Sequence, residues 1–182
     1  MSRTSVGAVA LQQNPVSLGL IRSSMRFESF SPVVGVSRIE SVALRAFAEL
    51  AHGIPPAHVP DVLIVAGDTA RESVDALFTS CTSVLSQGVA YVCCWGLGCE
   101  RLHDIFDEAH VDRELRLGEE RELMTTWHTD DSLAEALEFG VHMAWPATQS
   151  ADRRVLVVSL DSAVATAAAK ILAQGAMLLD ET

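Results

Sequence analysis

Four short apolar runs constrain this chain more than any other feature. They are Val62–Gly67 (VLIVAG), Val89–Trp95 (VAYVCCW), Leu123–His128 (LMTTWH) and Val155–Leu160 (VLVVSL), and they recur at intervals of about 30 residues. Runs of this length, rich in β-branched and aromatic side chains, suit strands, and a nearly unbroken apolar run suits one buried on both faces. Each run is followed by apolar residues at helical spacing. Ala70, Val74, Leu77, Phe78, Cys81 and Leu85 make one stripe, and Leu102, Ile105, Phe106 and Ala109 make the next. Thr69 with Glu72, and Ser132 with Glu135, read as capping boxes. The third helix extends to about Ala144, before Pro146, and an alanine-rich helix follows from Ala163 to Gln174.

Strand–helix units of this size are joined by right-handed crossovers and build parallel sheets. The expectation is a three-layer α/β fold. Its sheet has four parallel strands in a Rossmann-like or flavodoxin-like order, 3-2-1-4 or 2-1-3-4, with helices on both faces. Further edge strands fit at Val6–Leu11 and Met177–Leu179. Residues 1–35 read as a partly ordered arm and residues 36–182 as a single domain, opening with a helix from about Ser37 to His52. A charged loop is expected from about Val111 to Arg121.

Composition narrows the function classes. Residues 51–182 hold 8 basic and 21 acidic side chains, a balance of −13, against +2 for residues 1–50. A body this acidic repels phosphate backbones and favours basic partners, so no nucleic-acid groove is expected. The longest apolar run, Gly88–Cys99, is 12 residues, well short of the roughly 20 a membrane helix needs. No export signal is recognised, and Cys81, Cys93, Cys94 and Cys99 show no disulfide or CxxC pattern, so a reducing cytoplasm is expected.

Chemistry in parallel sheets gathers at the C-terminal strand ends. Here these bring Asp68, then Trp95, Gly96, Gly98, Cys99 and Glu100, then Trp127, His128, Asp130 and Asp131, then Asp161. Asp68, Asp131 and Asp161 also suit ordinary helix caps. Gly96-Leu97-Gly98-Cys99-Glu100-Arg101 follows a strand and opens a helix like a dinucleotide fingerprint. Arg101 replaces its third glycine, and Glu100 brings a negative charge to the phosphate position, so no nucleotide is expected. Cys99 and His103 lie one helical turn apart, and with His128 or Asp130 they supply the donors of an open zinc site, or of a thiol–histidine nucleophile. The same residues equally suit a core position beside Leu102 and Phe106. Metal ligands stay unassigned, and zinc is the one cofactor left open. Glu100, Asp104, Asp107 and Glu108 form an acidic helix face. Trp95 and Trp127 at the ends of successive strands suit either core filling or a binding hot spot.

The run Trp95-Gly96-x-x-Cys99-Glu100-x-x-His103-Asp104-x-x-Asp107-Glu108, followed by Thr125-Thr126-Trp127-His128-x-Asp130, resembles a small family of uncharacterised bacterial domains over about residues 60–175. That resemblance implies a bacterial cytoplasmic origin and the importance of this rim, and it implies no reaction. Two functional readings stand. The first is an acidic cytoplasmic interaction module of inhibitor, immunity or accessory type. It would take a basic protein at the rim through Trp95, Glu100, Asp104, Trp127 and Asp130. The alternative is a small metal- or thiol-dependent hydrolase centred on Cys99, His103 and His128. Oligomeric state leaves no mark on the sequence.

Overall fold

A computed structural model describes residues 25–118, 121–146 and 153–177. Strand β3 (Val62–Ala66) is buried along its whole length at the centre of a six-stranded sheet. The other strands are β1 (Phe27–Phe30), β2 (Val36–Ala43), β4 (Tyr91–Trp95), β5 (Met124–His128) and β6 (Arg153–Ser159). Their order is β1-β2-β6-β3-β4-β5. β2, β6, β3, β4 and β5 are parallel, and β1 pairs antiparallel with β2.

Helices cover both faces because each central strand is apolar on both sides. Leu63, Val65, Val92, Cys94, Leu156 and Val158 face α1 (Val74–Ser86) and α2 (Cys99–Leu117). Val62, Ile64, Tyr91, Cys93, Val155 and Val157 face α3 (Leu133–Glu138), the π-helical turn Phe139–Met143, and α4 (Ser162–Met177). Ser132 and Glu135 form the expected capping box on α3.

The mixed α/β architecture and mostly parallel sheet agree with the sequence expectation; the strand count and the order of the sheet as a whole do not. The four recognised strands lie in the order β6-β3-β4-β5, because the β5–α3–β6 connection runs back across the sheet and inserts β6 between β2 and β3. Read from the β5 edge, these four stand in the 3-2-1-4 order of the Rossmann-like alternative, and β2 and β1 beyond β6 are what make the whole sheet differ from the expected four strands.

The two further strands are a hairpin at the other edge. β1 falls inside the stretch expected to be an arm, and β2, all but its first residue, inside the expected helix Ser37–His52, of which only the 3-10 segment Phe47–His52 is helical. Ile39, Val42 and Phe47 do have helical spacing, but Glu40 and Ser41 between them are buried as well. Glu40 tolerates that burial because Arg38 Nε and His58 Nδ1 stand 3.4 and 3.0 Å from its oxygens.

Two local expectations also change. Thr69 and Glu72 do not cap α1, whose N-cap is Ser73. Glu72 accepts from the backbone N–H groups of Phe47 and Ala48 at 2.7 and 2.9 Å, tying the 3-10 segment to the β3–α1 loop. The expected charged loop is largely the end of α2, which runs to Leu117 and stops at left-handed Gly118. Met177 belongs to α4 rather than to a strand, and Val6–Leu11 lies outside the described residues.

The β3 and β4 ends meet closely. Gly67 N–H donates to Trp95 C=O at 3.0 Å and Thr69 N–H to Leu97 C=O at 2.9 Å. Gly96 has φ +104°, and a Cβ there would overlap the carbonyl of Gly67. Gly96→Ala is expected to destabilise by about 2–4 kcal/mol, since neither backbone can withdraw without breaking these bonds. A urea-unfolding loss below about 1 kcal/mol would show that this approach is not required.

At the opposite end, Asp61 takes the backbone N–H, Nε and Nη2 of Arg154 at 2.8, 3.1 and 3.1 Å. Burial alone would raise the Asp61 carboxyl, but the hydrogen bonds and charge of Arg154 prevail and hold it below its ordinary value. A carboxyl lowered on folding adds stability that is present above its unfolded pKa and is lost as pH falls through the folded one. Asp61→Asn should therefore cost about 1 kcal/mol at neutral pH and flatten the loss of stability below about pH 4, read from urea midpoints across that range.

Candidate functional site

The rim where β4 and β5 end is built from the first turns of α2, the end of β5 and the loop into α3. Trp95, the last residue of β4, donates its indole N–H to the Asp131 carbonyl at 2.8 Å and so fixes the β5–α3 loop against β4. Alternation along β5 then divides its side chains. Thr125 and Trp127 meet α2, while Thr126 and His128 face the α3 side.

On the α2 side, Trp127 remains 48 % exposed and meets the His103 ring at a centroid distance of 4.4 Å, edge to face. His103 Nδ1 lies 3.1 Å from Asp104, and its Nε2 lies 3.6 Å from Asp107. Asp107 also accepts the Thr125 hydroxyl at 2.7 Å, linking helix to strand. Asp104 and Asp107 stay 72 % and 51 % exposed despite these contacts, so their charge is presented to solvent. Glu100 and Asp130 are exposed beside them, as is the apolar side chain of Leu97.

On the α3 side, His128 is buried, with Nδ1 2.6 Å from Asp131 Oδ2, Nε2 3.3 Å from the Thr126 hydroxyl, and its ring 4.9 Å from Phe139. An ionised Asp131 can only accept, so Nδ1 carries the proton, and in the neutral ring Nε2 accepts from Thr126. Asp131 is thus a histidine partner. Asp161, by contrast, does cap α4, accepting from Val164 N–H at 2.8 Å.

The expected Cys99, His103 and His128 constellation is not assembled. Cys99 is buried at the start of α2, with the Thr129 hydroxyl 3.5 Å from its sulfur, and no hydrogen bond joins it to either histidine. His103 and His128 turn to opposite faces of the sheet and are each occupied by carboxylates. Among the described residues, no three His, Cys, Asp or Glu side chains are grouped to hold a metal ion. The other thiols are free and buried; burial pushes Cys93 up to about 12 and raises Cys81 and Cys94 well above their ordinary value.

The fingerprint-like glycines serve packing instead. Gly98 has φ +83°, and a Cβ there would stand 2.9 Å from Ala70 N. Arg101 donates to the carbonyls of Ala70 and Glu72, so the β3–α1 loop occupies the approach to this turn. An open groove of about 800 Å³ lies among Leu85, Val89, His110, Arg113, Glu122 and Leu123, near the N-terminal strand ends, and none of the expected site residues lines it. Among the described residues no helix is long and apolar enough to cross a membrane.

Sequence reasoning missed the tie from Thr125 to Asp107 and the contact of Thr126 with His128. The only signal for either was strand alternation in TTWH, which separates neighbours onto opposite faces.

Fold and rim together describe an α/β domain with a mostly parallel sheet whose β5 end carries an exposed tryptophan among carboxylates. The chain belongs to the family described as a domain of unknown function, DUF7684, which matches residues 40–175. No curated protein and no solved structure matches it.

The two sides of the rim should respond differently to truncation. His128→Ala strands Asp131 and empties a buried ring position, and is expected to cost about 1–3 kcal/mol. Trp127→Ala removes a half-exposed ring and should cost less than about 1 kcal/mol. Paired thermal melts check this, and equal losses would mean that Trp127 is core.

Proposed function

We propose that this domain is an acidic, cytoplasmic protein-interaction module of inhibitor, immunity or accessory type that takes a basic protein at the β4–β5 rim. The observation that carries the reading is Trp127, half exposed at the β5 end against His103, whose partners Asp104 and Asp107 face solvent, with exposed Asp130 and Asp131 in the loop that follows the strand. A large ring held open at low stability cost is the usual anchor of a binding hot spot, and surrounding charge of one sign selects and steers a partner of the other.

The hydrolase alternative draws less support. A thiol nucleophile needs a base within hydrogen-bond reach, and a zinc site needs converging donors. Cys99 has a threonine hydroxyl for its partner, and both histidines are directed elsewhere.

Affinity capture from a cell extract with wild type and Trp127→Ala tests the reading. Wild type should retain a basic protein in stoichiometric amount at low salt and release it as salt rises, and Trp127→Ala should lose it. A partner held equally well by Trp127→Ala would overturn the rim assignment. Elemental analysis showing one transition-metal ion per purified chain would favour the hydrolase instead.

A further inference from the structure

β5 ends the sheet. Its inner side pairs with β4 in register from Tyr91–Met124 to Trp95–His128, beginning with the bond from Met124 N–H to Ala90 C=O at 3.1 Å. Backbone groups alternate along a strand, so the N–H and C=O groups of Thr125 and Trp127 point away from β4. Among the described residues no strand pairs with that outer side. Proteins usually blunt such an edge with lysine, proline, a bulge or a covering segment. The sequence of β5, MTTWH, has no lysine, proline or charged carboxylate, and its pairing with β4 has no bulge.

We propose that the partner binds by adding an extended, basic segment as a further strand on the outer edge of β5. This rests on the rim-binding reading and specifies its geometry. Main-chain hydrogen bonds to Thr125 and Trp127 supply the register, and the Trp127 ring on the α2 face and exposed Met124 on the opposite face supply apolar contact to the two sides of the added strand. Glu122 precedes the strand, Asp130 and Asp131 follow it, and Asp104 and Asp107 flank it from α2, so a segment laid along it meets carboxylates at both ends. That charge decides the occupant. A second copy of this chain, with a net charge of −11, would set like charges against each other across the new strand pair. A segment bearing lysine or arginine on alternate residues satisfies them.

The test pans a phage-displayed library of short random peptides against the full chain at low salt, with Thr125→Pro and Trp127→Ala as comparison targets. Proline at 125 deletes an outward N–H and spares the β4 ladder, and Thr125→Val controls for the lost hydroxyl. The expected winners alternate basic and β-branched residues, bind Thr125→Val like wild type, and bind Thr125→Pro about tenfold more weakly. N-methylation of one alternate set of peptide amides should abolish binding to the wild-type chain, and methylation of the other set should not. This readout stands even if Thr125→Pro fails to fold. Winners that tolerate both methylation patterns and bind Thr125→Pro normally, yet fail on Trp127→Ala, would overturn strand addition and leave the rim reading intact. Failure to enrich any peptide sensitive to either substitution would overturn both. A dimer of the chain itself that dissociates in Thr125→Pro would assign the edge to a second copy and overturn the proposal.

Discussion

The packing of β3 against β4 and β6 is the constraint on which the rest depends. All five residues of β3 are buried, with Leu63 and Val65 on one side and Val62 and Ile64 on the other. Removing apolar surface of this size from water from both sides at once is the dominant favourable contribution to such a fold. It requires helices on both faces. It also requires the loops leaving β3 and β4 to pass each other closely, which is why Gly67, Gly96 and Gly98 stand there.

From that centre the sheet grows in two unlike directions. Toward β1 it closes through a hairpin whose buried Glu40 is met by Arg38 and His58. Toward β5 it stops after a strand whose outer backbone edge faces no other strand among the described residues. The rim chemistry belongs to this second end. Strand alternation sends Trp127 to α2 and His128 to α3, so two adjacent residues do different things. His128 is held by Asp131 and Thr126 and supports the β5–α3 loop. Trp127 meets the His103 ring edge to face on one side and is left open on the other. A side chain ordered by its neighbours yet only half covered loses little entropy when a partner buries the remainder, which suits it to recognition.

Acidity acts at two ranges. Over the whole molecule it repels copies of the chain and polyanions and draws in cations, an effect that salt screens. At the rim it is placed rather than diffuse, because His103 and Thr125 fix Asp107 and His128 fixes Asp131, while Asp104 and Asp130 remain open to solvent. The same carboxylates therefore orient the aromatic and imidazole groups and carry the outward field.

Much of the fold was legible in the sequence, and the limits have a physical origin. β3, β4 and β6 are visible because burial on both faces demands unbroken apolar runs, and α1 to α4 because one-sided burial imposes a period near 3.6. β2 was hidden because its buried Glu40 depends on Arg38 two residues away, which a local pattern does not mark as a partner, and on His58 from a distant segment. The rim residues lie at the β4 and β5 ends and the start of α2, where the strand–helix pattern puts them. Their division between faces required knowing the register of β5 against β4, and the separation of Cys99 from both histidines required knowing which carboxylates and hydroxyls lay nearer. By itself the sequence determined which segments are strands and helices in the centre, the sign of the surface charge and the residues at the rim, since each follows from local period or composition. Only the tertiary structure decided the strand order, the edge position of β5 among the described strands and the partner of each polar side chain. Those depend on contacts between residues far apart in the chain, where several arrangements bury the same apolar runs and only one also satisfies the polar groups between them.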